Sequence, residues 1–304
     1  MLKELFTKRY MESLGFYRHF YDDVCKYGSE DNPGKVFYFI PGISGTPGQI
    51  RFSFPSFFKR YGTDFYMHCC HLDEFSARCP IWEKYKVENI DKKRRVITDD
   101  LKQLSGRYSE VVVIASSNGF YDFVHAYDGL RKAGIAGNLK LLWVACAPDS
   151  FLESAWETVF FPLNGFVHNS YRWFAYPNHQ LLRFLNPETT TKFKWRYQHQ
   201  GKTIYKADLE NRFVCFNLYW DYVSIDCFNA MLRHALRDFS GIMDIETHVL
   251  VASNDGFWQG RGEDQVKAIV GKYVKVGSLL FKDASHLWVA SPENICELLD
   301  CLSE

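Results

Sequence analysis

The residue of this chain best suited to covalent chemistry is a serine in the run Ala115-Ser116-Ser117-Asn118-Gly119. The apolar stretch before it, 111–115, reads as a strand, and a helical pattern follows at once. A turn that tight strains the backbone of its central residue, so the neighbours two positions away must be small. Ala115 and Gly119 meet that need. Such a turn raises the Ser117 hydroxyl above the sheet, at the positive end of the following helix. A serine hydroxyl is a weak nucleophile at neutral pH. It needs a general base, and the base needs an acid to orient it. Two later segments offer these groups. The run 248–252 leads through Ser253-Asn254 to Asp255, and the run 278–281 leads through Lys282-Asp283-Ala284-Ser285 to His286. Asp255 and His286 are 31 residues apart, room for one helix (visible in 263–270) and one strand. Asp149, which follows the run 139–145, is a competing acid.

The elements that must position these groups are written in the same pattern. Apolar runs at 36–40, 65–70, 111–115, 139–145, 248–252 and 278–281 show no polar alternation, as expected of strands buried on both faces of a parallel sheet. Helical spacing lies between them. Ile90, Ile97, Leu101 and Leu104 form one apolar stripe, and Phe120, Phe123, Val124, Tyr127 and Leu130 another, stopped by Gly134. Ser291-Pro292-Glu293 supplies a cap, a proline for the first helical position and an acid for the first turn. The pattern predicts an α/β fold with a mostly parallel sheet and helices on both faces. The expected core is 1–150 with 241–304. An antiparallel edge strand is expected over 15–24. Residues 151–240 hold 21 of the 52 aromatic residues and are too long for a loop, so they are expected to form a helical lid inserted into the core.

Taken together, these segments resemble the α/β-hydrolase superfamily over 36–145 and 245–304. The elbow differs only in having Ala115 where glycine is usual in the family. The resemblance implies the chain order nucleophile, acid, base, hence Ser117, Asp255 and His286. It favours Asp255 over Asp149, because Asn254-Asp255-Gly256-Phe257-Trp258 is similar to the family's acid loop. It also implies an oxyanion hole made by the backbone N–H groups of Asn118 and Ile43, the latter within Pro41-Gly42-Ile43-Ser44-Gly45. A serine in the elbow speaks against the branches that open haloalkanes or epoxides with an aspartate. The implied activity is hydrolysis of an acyl ester or thioester, with no metal or organic cofactor. The implied substrate is a small-molecule acyl compound, with acyl-coenzyme A and acyl-carrier protein as candidate carriers. The elbow and acid loop are similar, over a short stretch, to acyl-carrier thioesterases that divert fatty acids. Two other classes share the same residues: an acyltransferase with the same acyl-enzyme, and a silent pseudo-hydrolase that only binds.

Composition narrows the field further. Lys+Arg and Asp+Glu both number 36, and the absence of a basic excess argues against a dedicated nucleic-acid binder. No run approaches the roughly 18 apolar residues of a membrane span, and the first twenty residues do not read as a signal peptide. Nine cysteines at irregular spacing favour free thiols and a cytoplasmic setting. Gly42, Gly45 and Gly48 fit neither nucleotide-loop spacing. His68-Cys69-Cys70-His71 looks metallophilic, but on a strand its side chains alternate faces and cannot converge on one ion. Lys92-Lys93-Arg94-Arg95 is expected to be a solvated helix face. Asp73 and Glu74 follow the second run without an assigned role.

Overall fold

The computed structural model describes residues 25–31, 35–42, 47, 50, 53–62, 64–72, 87–146, 243–253, 258, 261–284, 289–290 and 292–303. Seven strands form one sheet: β1 (Lys26–Gly28), β2 (Val36–Ile40), β3 (Tyr66–Cys69), β4 (Val111–Ser116), β5 (Leu139–Val144), β6 (Met243–Ala252) and β7 (Val274–Lys282). Their order is β1-β3-β2-β4-β5-β6-β7. Every pairing is parallel except the first, where short β1 runs antiparallel to β3. This antiparallel edge, at 26–28, is not the one expected over 15–24. Residues 15–24, and the lid expected over 151–240, lie outside the described residues.

Among the described residues, five α-helices flank the sheet: α1 (Phe54–Tyr61), α2 (Val87–Arg107), α3 (Gly119–Lys132), α4 (Glu263–Val270) and α5 (Pro292–Asp300). Strand periodicity decides which layer each side chain joins. Tyr38, Ile40, Val113, Ala115, Leu141, Trp143, Val249 and Val251 face one layer, closed by Ile97 and Leu101 of α2, Phe120 and Phe123 of α3, and Val266 of α4. The alternate residues Phe37, Phe39, Val112, Ile114, Leu142, Val144 and Leu250 face the other, closed by Phe57 of α1 and Ile295, Leu298 and Leu299 of α5. Both faces are thus covered, which is why these strands read as unbroken apolar runs. Each large ring buried here, such as Phe37, Phe57 or Trp143, contributes about 1.5–3 kcal/mol.

The basic run departs from expectation. Lys93 is buried, and its ammonium lies 2.6 Å from Asp122 in the first turn of α3. Arg94 approaches the same carboxylate at 3.9 Å. Only Lys92 and Arg95 present an exposed face. The run thus fastens α2 to the helix that follows Ser117, because a lysine stem can cross an apolar layer while its head meets a carboxylate.

Candidate active site

Strand β4 ends at Ser116, and α3 begins at Gly119. Ser117 and Asn118 make the whole connection. Ser117 has φ +47°, in the left-handed region that residues with a Cβ rarely adopt. Its backbone N–H donates to the carbonyl of Val144 at 2.7 Å, so the end of β5 holds the turn. Asn118 caps α3, whose partial positive end therefore lies beside the serine.

Close approach explains the small residues. Ala115 is fully buried and paired between Ile40 and Trp143 in the ladder. A Cβ on Gly119 would lie 2.5 Å from the carbonyl oxygen of Ile40 and 2.9 Å from that of Pro41. A Cβ on Gly42 would lie 2.9 Å from the carbonyl oxygen of Ser116 and 3.2 Å from Cβ of Ser117. The start of the Pro41-Gly42 loop is therefore pressed against the serine turn, the place where a second oxyanion donor is needed. Ile43 itself lies outside the described residues.

Asp255, His286 and the competing Asp149 are likewise outside them. The residues that flank them are described, and they stand at the ends of β5, β6 and β7, the carboxyl edge on which β4 also ends. After β6, the N–H of Ser253 donates to the carbonyl of Lys282 at 2.9 Å. Trp258, fully buried, donates its indole N–H to the carbonyl of Cys146 at 2.6 Å. After β7, Ala284 is buried, its N–H donating to the carbonyl of Lys282 at 2.8 Å. Val289 is fully buried, and Asn294 donates to its carbonyl at 2.9 Å. Ligands bind at this edge in open α/β sheets. The tie from Trp258 was not legible in the sequence: the tryptophan was visible in the acid loop, but its partner lies 112 residues earlier.

A second polar group lies beneath β2 and β3. The hydroxyl of Tyr38 donates to Asp100 at 2.7 Å, and Nε2 of His68 lies 3.9 Å from the same carboxylate. Burial holds the Tyr38 hydroxyl well above its ordinary pKa, so it remains a neutral donor. Burial also pushes the Cys70 thiol up to about 12, which keeps it protonated and a poor nucleophile or metal ligand. Cys69 packs in one core layer and Cys70 in the other, so the His-Cys-Cys-His run diverges across the sheet.

No family model matches the chain, and no curated protein is significantly similar to it. Solved structures do match. The chain is similar to the RedJ thioesterase from the prodiginine biosynthetic pathway of Streptomyces coelicolor, at 15% identity over 88% of this chain and 86% of that one, with a TM-score of 0.50. The type II thioesterase BorB from the borrelidin biosynthetic cluster matches at 13% identity over 93% and 97%, TM-score 0.49. A hydrolase from Pseudomonas aeruginosa matches at 12% identity over 92% and 93%, TM-score 0.48. With the sheet order and the elbow, the first of these likenesses establishes that the chain has the α/β-hydrolase fold. No helix among the described residues is long and apolar enough to cross a membrane.

Proposed function

We propose that the chain is a serine hydrolase that cleaves an acyl ester or thioester through an acyl-enzyme. The observation that carries this reading is the strained, braced position of Ser117. A non-glycine residue at φ +47°, with Gly42 and Gly119 cleared of side chains around it, is costly to keep unless the serine has work to do. The RedJ thioesterase shares the fold, which supports including thioesters in the substrate class.

In the proposed reaction the Ser117 hydroxyl oxygen attacks the acyl carbonyl while His286 takes its proton. Asp255 holds the imidazole tautomer and stabilises the imidazolium. The N–H groups of Asn118 and Ile43 receive the developing oxyanion. Collapse breaks the bond to the leaving alcohol or thiol, which takes the proton back from His286. Water, deprotonated by His286, then attacks the acyl-Ser117 ester. The acid is released and the serine hydroxyl restored. None of these steps calls for a metal or an organic cofactor. The aromatic stretch 151–240 carries ten Lys/Arg and eight Asp/Glu, too balanced for a strongly anionic substrate. We assign to it an apolar wall over Ser117 that takes a lipophilic acyl chain.

The test is a panel of p-nitrophenyl and coenzyme A esters from acetyl to decanoyl, with and without alcohol and amine acceptors. Free acid should be the product, and kcat/KM should rise with acyl length, each buried CH₂ contributing up to about 0.8 kcal/mol. Ester product formed only with an acceptor identifies an acyltransferase, and no turnover of any ester identifies a binding protein. A flat length profile excludes the lipophilic wall. Asp255→Asn should slow turnover by about four orders of magnitude and Asp149→Asn far less. The reverse ranking moves the acid to Asp149.

A further inference from the structure

Two backbone carbonyls at the C-terminal end of β5 accept hydrogen bonds from segments far away in the chain. The carbonyl of Val144 accepts the N–H of Ser117 at 2.7 Å, and the carbonyl of Cys146 accepts the indole N–H of Trp258 at 2.6 Å. Between them Ala145 has φ +53°, a second residue with a Cβ in the left-handed region. The N–H of Cys146 donates to the carbonyl of Leu250 at 3.1 Å, which fixes this strand end to β6 as well. One short, conformationally constrained turn therefore touches the serine turn on one side and the segment after β6 on the other.

Trp258 is chosen for more than its bulk. It is fully buried in the layer that contains Phe120 and Trp143, whose rings stack 3.6 Å apart at 8°. A phenylalanine would fill much of that space. The indole adds a single N–H donor, and unlike the buried indole nitrogen of Trp143 it is seated on an acceptor, which favours one orientation of the ring. Trp258 follows Asp255 by three positions. On the other side of Asp255, Ser253 is held to Lys282 at 2.9 Å. The described residues on either side of Asp255 are thus both held, Ser253 to β7 and Trp258 to the end of β5.

We infer that Trp258 is a positioning residue whose indole N–H, seated on the Cys146 carbonyl, registers the acid-bearing segment against the strand end that also holds the nucleophile turn. The inference rests on the Ser117–His286–Asp255 reading and adds to it the part that aligns the acid. Loss of the donor leaves the core filled but frees the segment to shift, and a small misplacement of a catalytic group costs about tenfold to a hundredfold in rate.

The experiment compares the full-length chain with Trp258→Phe and with a variant carrying 3-benzothienylalanine at 258, which keeps the bicyclic shape and lacks only the N–H. Each is made alone and together with Asp255→Asn. Thermal melting confirms folding, and the isostere decides if the phenylalanine variant does not fold. The readout is the rate of fluorophosphonate labelling at Ser117 across pH. We expect both variants to label about tenfold to a hundredfold more slowly, with the acid limb of the profile moved to lower pH, because an imidazolium without a carboxylate beside it is less stable. In the Asp255→Asn background the same changes should cost nothing further. Wild-type rates in the isostere, or an equal loss with Asp255→Asn already present, overturn the inference while leaving the triad standing. A wild-type chain that does not label at Ser117 overturns the triad reading, and the inference with it.

Discussion

Gly119 and Ile40 lie so close that a Cβ on the glycine would stand 2.5 Å from the isoleucine's carbonyl oxygen. This contact fastens the start of α3 to the end of β2, and it sets how sharply the chain turns through Ser117. The obstacle is backbone, which cannot rotate away as a side chain could. Gly119→Ala should therefore destabilise the fold by about 1–3 kcal/mol through overpacking. It should also slow labelling of Ser117. Denaturant midpoints against wild type measure the first effect. An alanine variant of wild-type stability would mean that the elbow has more room than this contact allows.

The strain at Ser117 has its own signature. A left-handed residue with a Cβ costs about 1–2 kcal/mol, and glycine removes that cost while losing about 0.5–1 kcal/mol to chain entropy. Ser117→Gly should therefore be more stable than Ser117→Ala by about 0.5–1 kcal/mol, with both inactive. Equal midpoints would show that the φ of +47° carries no strain.

Lys93 and Asp122 form a pair 2.6 Å apart with side chains 8% and 16% exposed, so neither charge can turn to water. Removing the carboxylate takes from a buried ammonium an ion-pair partner at 2.6 Å, and breaking a buried pair typically costs about 3–5 kcal/mol. Lys93→Met should cost less, because Arg94 remains 3.9 Å from Asp122. Urea denaturation of Asp122→Ala and Lys93→Met should rank them in that order. The opposite order would show that the lysine is the partner the carboxylate cannot lose.

Glu30 predicts an acid dependence. The ammonium of Lys26, the hydroxyl of Tyr66 and the guanidinium of Arg107 all donate to its carboxylate. They lower its pKa from 4.5 to about 2. Above 4.5 the carboxylate is charged in both folded and unfolded chains, and its contribution is fully present. As pH falls from 4.5 towards 2 the unfolded chain takes up the proton first, and the contribution is lost. Glu30→Gln should lower stability at neutral pH and flatten the slope of stability in that window. Parallel acid limbs for the two proteins would mean that the carboxylate is not held by these donors.

What the sequence disclosed follows from where each segment sits. Strands β4 and β5 are covered on both faces, so 111–116 and 139–144 read directly as apolar runs. The first halves of β6 and β7 did not. Asp244 and Glu246 are exposed between buried neighbours, and Lys275 between buried Val274 and half-buried Val276; such alternation resembles a loop or an amphipathic segment. Helix α1 leaves little trace in the sequence because eight residues crowded with aromatic rings give no long helical stripe. The elbow was legible because Ala115 and Gly119 leave a local mark. The burial of Lys93 and the seat of Trp258 were not, because each is decided by a partner distant in the chain, Asp122 and Cys146.

The central claim is that Ser117 is the nucleophile of an acyl-transferring site. The most direct measurement is to expose the folded chain to a fluorophosphonate and locate the adduct by mass spectrometry of the peptide that contains Ser116 and Ser117. We expect one phosphonyl group on Ser117 in the wild-type chain and none anywhere in Ser117→Ala, with both proteins melting cooperatively. An adduct on Ser116, labelling that survives in Ser117→Ala, or a wild-type chain that takes no label would contradict the account.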